Sequence, residues 1–149
     1  MQRNGRICEI LNTTILTQLV EIAQVLCLNV YMLGCGIMNY NKYGWYYNNG
    51  NDKSPSWSGV EYLYNFLVSN NNVGPYAKEV DLNGTQIGDI AQLSFDGNKF
   101  GHTLIIVRKL NPISLSNTFV SSHTFDAYGR SISSYNFKKI RYLHIECNE

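Results

Sequence analysis

Four short β-like runs in the second half of the chain constrain its fold more than any other feature. Each is rich in branched or aromatic residues, and turns containing Gly, Asn or Pro separate them: QIGDIAQLSF, HTLIIVRKL, TFVSSHTF and KIRYLHIE. The polar segment DGNKFG (96–101) between the first two suits a hairpin loop, which makes these strands antiparallel neighbours. The sequence therefore predicts a mainly antiparallel sheet of about four to five strands.

Two helical segments precede these strands. Residues 13–33 are long and rich in Leu, Ile and Val, which predicts a helix. Farther along, Ser58 and Glu61 have the S-x-x-E spacing of a capping box. A helix over 59–69 would bring four apolar or aromatic residues to one face: Val60, Leu63, Tyr64 and Leu67. Because helices come first and strands follow, we predict an α+β fold with its N-terminal helices packed on the sheet.

The segment 38–57 between the two predicted helices is dense in Tyr, Asn and Gly. Such a composition predicts an irregular loop. Its aromatic residues either line a substrate cleft or pack in the core and anchor the loop, and the sequence leaves both interpretations open. They are Trp45, Tyr46, Tyr47 and Trp57.

Length and charge set limits on the class of protein. The chain has 149 residues, which suits one domain. Its 12 Lys and Arg balance 11 Asp and Glu, so we expect neither nucleic acid nor an anionic membrane as a partner. The apolar stretch 10–41 carries one charge, Glu21, but polar residues interrupt it too often for a transmembrane helix. No clear signal peptide is recognisable, which leaves the compartment open.

The four cysteines have no spacing typical of a metal site. They form no C-x-x-C pair and no Cys/His cluster that suits zinc, so we expect no metal and no cofactor. Cys35 is interpreted as a loop or packing residue, and Cys8 and Cys147 as terminal thiols without an assigned role.

Two of the three histidines are candidates for catalysis. His102 opens an apolar strand directly after a Gly turn, a position that suits a general base because the strand fixes the ring while its edge stays accessible. His123 lies three residues before Asp126, at a strand end where a partner could orient an imidazole. His144 is interpreted as an ordinary strand residue, and Asp89 as a turn residue.

Six blocks of sequence, in order between positions 36 and 145, resemble a known family. They are GIMNYNKYGWYY, SPSWSGVEYLYNFLV, GDIAQL, GHTLIIV, SSHTFDAYGRSISSY and KIRYLHI. Together they look like the putative amidase domain found in Gram-positive bacteria. That family resembles papain-like and cell-wall amidohydrolases, in which a helix-borne Cys nucleophile packs against a sheet that supplies a His base and a polar orienting residue.

The resemblance implies an activity and assigns roles to three residues. The implied activity is cysteine-dependent hydrolysis of a peptide or amide substrate, with cell-wall peptide as one example. His102 matches the family histidine at the start of its apolar strand and would be the base. His123 and Asp126 match its H-x-x-D block, and one of them would be the third member of the catalytic set.

The family's nucleophile motif, similar to GDCTNFVSQCLYAGG, is missing from its place before GIMNY. The segment EIAQVLCLNVYMLG (21–34) stands there instead. Its codons, read one nucleotide earlier, can encode GDCTSFVSQCLYAG. We therefore hypothesise that residues 1–34 are out of frame and that the amidase domain occupies 35–149. The nucleophile codon would overlap Ile22 and Ala23, and Cys27, about one helical turn or roughly 5 Å farther on, is too far to replace it.

Two functional hypotheses follow from these patterns. The first is an amidase-family domain that is catalytically impaired, a pseudoenzyme, because its nucleophile motif is absent. The alternative is a non-catalytic binding or interaction module, or a remnant without function.

Overall fold

The computed structural model describes residues 38–122 and 127–148 of the chain. The predicted helix over 13–33, the proposed change of frame, and the candidates His123 and Asp126 lie outside these residues. The described part is α+β: one α-helix packs on a six-stranded antiparallel sheet, and a two-stranded sheet accompanies them. The predicted class is confirmed at this level, and the papain-like relationship stays a prediction.

The elements follow one another with short connections. The described helix is α1 (Val60–Ser69), and the strands are β1 (Tyr47–Asn49), β2 (Asp52–Lys53), β3 (Gly74–Val80), β4 (Ile90–Ser94), β5 (His102–Lys109), β6 (Thr118–Ser122), β7 (Ala127–Ser131) and β8 (Lys139–Asn148). Strands β1 and β2 form the small sheet. The large sheet has the order β3-β8-β4-β5-β6-β7, and every neighbouring pair is antiparallel.

All four predicted strands are present, as β4, β5, β6 and β8, and β4 and β5 form the predicted antiparallel pair. The large sheet has six strands because β3 and β7 join it, and the prediction of four to five is wrong in this respect. Both added strands lie at the edges of the sheet. Pro75 near the start of β3 and Gly129 inside β7 weaken a strand pattern in the sequence, but both residues are tolerated at a sheet edge.

Helix α1 confirms the prediction of a helix over 59–69 with one apolar face. Leu63 and Leu67 of the predicted face are buried against the sheet, while Val60 and Tyr64 are half-buried. Phe66, which the predicted face did not include, is also buried. The predicted capping box is wrong, because Gly59 is the N-cap residue and no side chain caps the helix. Glu61 instead turns toward β8, where its carboxylate accepts a hydrogen bond from Arg141 at 3.1 Å.

The segment 38–57 is more ordered than predicted. It contains the β1–β2 hairpin and a 3₁₀ turn at Pro55–Trp57, and a bridge joins Asn39 to Trp45. Trp45 is fully buried and its ring lies 5.1 Å from that of Trp57 and 6.0 Å from that of Phe66. These aromatic contacts explain why a segment of turn-forming composition adopts a defined structure.

Each face of the large sheet is covered by its own apolar cluster. On the α1 face the buried residues are Trp45, Trp57, Leu63, Phe66, Leu67, Ala77, Ile90, Ile105 and Leu143. On the opposite face they are Ala91, Leu93, Leu104, Ile106, Val120, Ile132 and Tyr142. Side chains alternate between the faces along β4 and β5, and both alternating sets are buried. Covering on both faces explains why these strands read as continuous apolar runs.

Candidate active site

His102 is the first residue of β5 and lies on the sheet face opposite α1. Its Cα pairs with that of Leu93 on β4, and both side chains share the face of Leu104. The imidazole is half-buried, and the ring of Phe95 meets it at an angle of 72° with 4.7 Å between centroids. Within the described residues, no side chain is hydrogen-bonded to this ring. A rigid strand therefore presents an imidazole whose nitrogens are available to other groups.

The environment of His102 favours its neutral form. Burial removes water from the ring and lowers the pKa of His102 from its usual value. A neutral imidazole has one nitrogen that can accept a proton, which is the state that a general base requires. The role of His102 as a general base stays a prediction.

The contact with Phe95 leads to the first testable prediction. Phe95→Ala admits water to the ring, so the pKa of His102 should rise toward the usual value of about 6.5. An NMR titration of the ring protons of His102 measures both pKa values. The control is Phe119→Ala, because the ring of Phe119 stacks on Arg108 instead. Equal shifts in the two variants would contradict the assignment.

The lowered pKa of His102 also sets the direction of a pH effect on stability. The unfolded chain binds more protons than the folded chain between the lowered pKa and about pH 6.5, so the free energy of unfolding falls as the pH is lowered through that window. Above the window this group contributes no pH dependence. The same Phe95→Ala variant should make this dependence shallower.

The end of the sheet that carries His102 is also where β6 ends and β7 begins. Ile105 on β5 pairs with Ser121 on β6, and Ser122 pairs with Ala127 on β7. Neighbouring strands are about 4.8 Å apart. Strand β6 therefore ends beside the start of β5, which His102 occupies, and β7 begins one strand farther away. The connection that contains His123 and Asp126 lies outside the described residues.

The described residues contain a histidine–carboxylate pair that the sequence analysis did not predict. His144 Nδ1 lies 2.9 Å from Asp89 Oδ2, and Asp89 is only 3% exposed. The Asp89 carboxylate also accepts hydrogen bonds from the backbone nitrogen atoms of Gln86, at 2.7 Å, and Ile145, at 3.0 Å. The interpretation of Asp89 as a turn residue is correct for its backbone but missed this larger role.

The His144–Asp89 pair is remote from His102. Ile140 on β8 and His102 on β5 both pair with Leu93, so they belong to one row across the sheet. His144 lies four residues beyond Ile140, which is roughly 13 Å along the strand. The signal for the pair could not be found in the sequence, because it depends on the β4–β8 register between segments about fifty residues apart.

A buried polar network lies on the α1 face, at the same end of the sheet as His102. Gln92 is fully buried and donates to Thr103 Oγ1 at 3.2 Å, while its side-chain oxygen accepts from Arg141 Nε at 2.8 Å. The Arg141 guanidinium lies between the rings of Tyr64 and Phe100, at 3.6 and 3.9 Å from their centroids. These contacts tie α1 to β4, β5 and β8, which is a structural role.

The aromatic residues divide between the two roles that the sequence left open. Trp45 and Trp57 are core residues, with 0% and 2% exposure. Tyr46 is half-buried and Tyr47 is partly exposed, with its ring against Trp57. Among the large hydrophobic side chains of the described residues, three other tyrosines are the most exposed: Tyr40, Tyr43 and Tyr62.

The described residues were also compared with the expectations for a metal site, for the state of Cys147 and for a membrane-spanning helix. Residues 38–122 and 127–148 contain no group of three His, Cys, Asp or Glu side chains that could hold a metal ion. Cys147 is disulfide-bonded, so its interpretation as a terminal thiol without an assigned role is wrong. No helix in this part of the chain is long and apolar enough to span a membrane.

Comparison with known proteins decides the family. The family model described as "Putative amidase domain" matches residues 22–145. The chain belongs to this family. The match begins before position 36, where the recognised blocks start, and it includes His102 together with the segment of His123 and Asp126. Neither curated proteins nor solved structures gave a significant match.

Proposed function

We propose that this amidase-family domain derives from an enzyme that hydrolyses amides with a cysteine nucleophile, and that the chain itself is inactive. The observation that carries the proposal is the position of His102. It opens β5 in the GHTLIIV block, and Phe95 holds its half-buried ring edge-on. Family membership supports an amide as the substrate, and cell-wall peptide is the form that the family resemblance suggests.

The chemistry explains why a base without a cysteine is insufficient. A thiol has a pKa near 8.5, and a neutral imidazole takes its proton to give a thiolate. The thiolate attacks the amide carbonyl, the imidazolium protonates the departing amine, and water then hydrolyses the acyl-enzyme. Without the thiol there is no nucleophile for His102 to deprotonate.

A third residue would orient the imidazole of His102, and we propose His123 or Asp126 for this role. The pairing of β5 with β6 supports it, because β6 ends at Ser122, one residue before His123, beside the start of β5. A carboxylate or a second imidazole there would select the tautomer in which the other ring nitrogen is free to accept a proton.

The test is labelling by a thiol-reactive amide or ester probe. We expect the chain and its His102→Ala variant to be labelled equally, because any reaction then comes from cysteines that His102 does not activate. Mass spectrometry of the labelled peptides identifies the modified cysteines. Labelling that falls sharply in His102→Ala would contradict the proposed inactivity and would identify the cysteine that His102 activates.

A further inference from the structure

A small cavity lies between the outer side of α1 and the segment that precedes it. Its volume is about 250 Å³. The helix contributes Tyr62, Asn65, Phe66 and Ser69, and the preceding segment contributes Tyr43, Pro55 and Ser56. His102 lies on the opposite face of the large sheet, so this cavity is separate from the candidate active site.

The walls of the cavity include two unusually exposed aromatic rings. Tyr43 is 61% exposed and Tyr62 is 54% exposed. The rings are nearly parallel, at 11°, with 6.3 Å between their centroids. No hydrogen bond joins either hydroxyl group to another described residue. Each ring turns one face toward the other, and Lys42 Nζ lies 5.3 Å from the centroid of the Tyr43 ring. The exposed remainder of such a tyrosine pair, with its polar tips, is typical of binding surfaces.

Polar groups without charge complete the lining. Asn65 and Ser69 lie one turn apart on α1, and the Ser69 hydroxyl donates to the backbone oxygen of Asn65. The side-chain amide of Asn65 has no hydrogen-bond partner among the described residues, so it can both donate and accept. None of the lining residues is charged. Lys42 lies close to the Tyr43 ring but is not part of the lining. The lining itself therefore supplies no charge to compensate an ionic ligand.

We propose that this cavity binds a sugar unit of a neutral saccharide. The apolar face of a pyranose ring packs on an aromatic ring, while its hydroxyl groups suit an amide such as that of Asn65. The volume lies below the roughly 300–1,000 Å³ of sites for drug-sized ligands, which fits one unit of a longer chain. A peptide is less well matched, because the lining contains no free strand edge on which it could add as a strand.

Titration of the full ¹⁵N-labelled chain with two neutral saccharides, cellohexaose and hexa-N-acetylchitohexaose, tests the proposal by NMR. An uncharged Gly/Ala hexapeptide is titrated in parallel. We expect at least one saccharide to shift the amide resonances of Tyr43, Tyr62 and Asn65, with a Kd of about 1 mM. Tyr62→Ala and Tyr43→Ala should each weaken binding by about fivefold or more, because each removes an aromatic wall.

Tyr40→Ala is the matched control. Tyr40 is 66% exposed and stacks on Tyr46, but it does not line the cavity. This variant should bind the saccharide like the unmodified chain, and Tyr62→Phe should keep most of the affinity because it keeps the ring. The proposal is overturned if neither saccharide shifts these resonances, if only the peptide does, or if the Tyr43 and Tyr62 alanine variants bind normally.

Discussion

Replacement of residues 21–34 by GDCTSFVSQCLYAG is expected to give a chain that reacts with amides through a cysteine. The motif puts a cysteine in the place of Ala23 and restores the nucleophile that the family reaction needs. An acyl-enzyme should form with an activated amide or ester and be visible as an added mass on that cysteine. Adding His102→Ala to the restored chain should lower kcat/KM by about 10²–10⁴, the range for loss of a general base.

Two controls accompany this experiment. Serine in place of the motif cysteine should abolish acyl-enzyme formation, and His144→Ala should retain it, because His144 pairs with Asp89 away from His102.

The nucleotide sequence of codons 20 to 36 tests the hypothesis that residues 1–34 are out of frame. If these codons cannot encode Gly-Asp-Cys one nucleotide upstream, or if the folded, restored chain reacts no better than the present one, the change-of-frame hypothesis is wrong.

Asp89→Ala is expected to lower the free energy of unfolding by about 3–5 kcal/mol. The Asp89 carboxylate is buried and accepts hydrogen bonds from two backbone N–H groups, and it is paired with His144. Alanine leaves the N–H groups of Gln86 and Ile145 without these acceptors and the imidazole without its partner. Typical domains are stable by only 5–15 kcal/mol, so the variant should be close to unfolding at room temperature.

Urea denaturation followed by circular dichroism measures this loss. Asp81→Ala is the matched control, because the exposed Asp81 side chain accepts one hydrogen bond, from the Gly84 backbone N–H at 2.9 Å. Its cost should be about 1 kcal/mol or less. If Asp89→Ala does not fold, Asp89→Asn keeps one acceptor oxygen and should fall between the two. A loss no larger than that of Asp81→Ala would show that the buried pair contributes little.

Local sequence patterns were sufficient to predict the strands that are buried on both faces and the helix that has a marked apolar face. Strands β4 and β5 were recognisable because their branched apolar runs and the DGNKFG turn reflect burial within short segments. Helix α1 was recognisable because Leu63 and Leu67 repeat at helical spacing. The edge strands β3 and β7 were missed because an edge tolerates Pro, Gly and charged residues, which weaken the pattern.

The predictions that failed concern interactions between distant segments. Glu61 has the spacing of a capping-box residue, yet it pairs with Arg141, eighty positions away, because packing of α1 on β8 brings the two charges together. His144 was interpreted as an ordinary strand residue because nothing near it in the sequence indicates Asp89. The tyrosines of the cavity were not singled out, since exposure depends on how the 38–57 segment folds over α1.

For this protein, the sequence alone determined the α+β class, the four most apolar strands, and the amidase family with His102 at the head of its strand. These features depend on local periodicity and on ordered blocks of residues, both of which are visible in the sequence itself. The tertiary structure decided the six-stranded order, the buried Asp89–His144 pair, and the separation of the Tyr43–Tyr62 cavity from His102. The physical reason is register: pairing between strands far apart in the chain determines which side chains meet, and no single segment encodes that pairing.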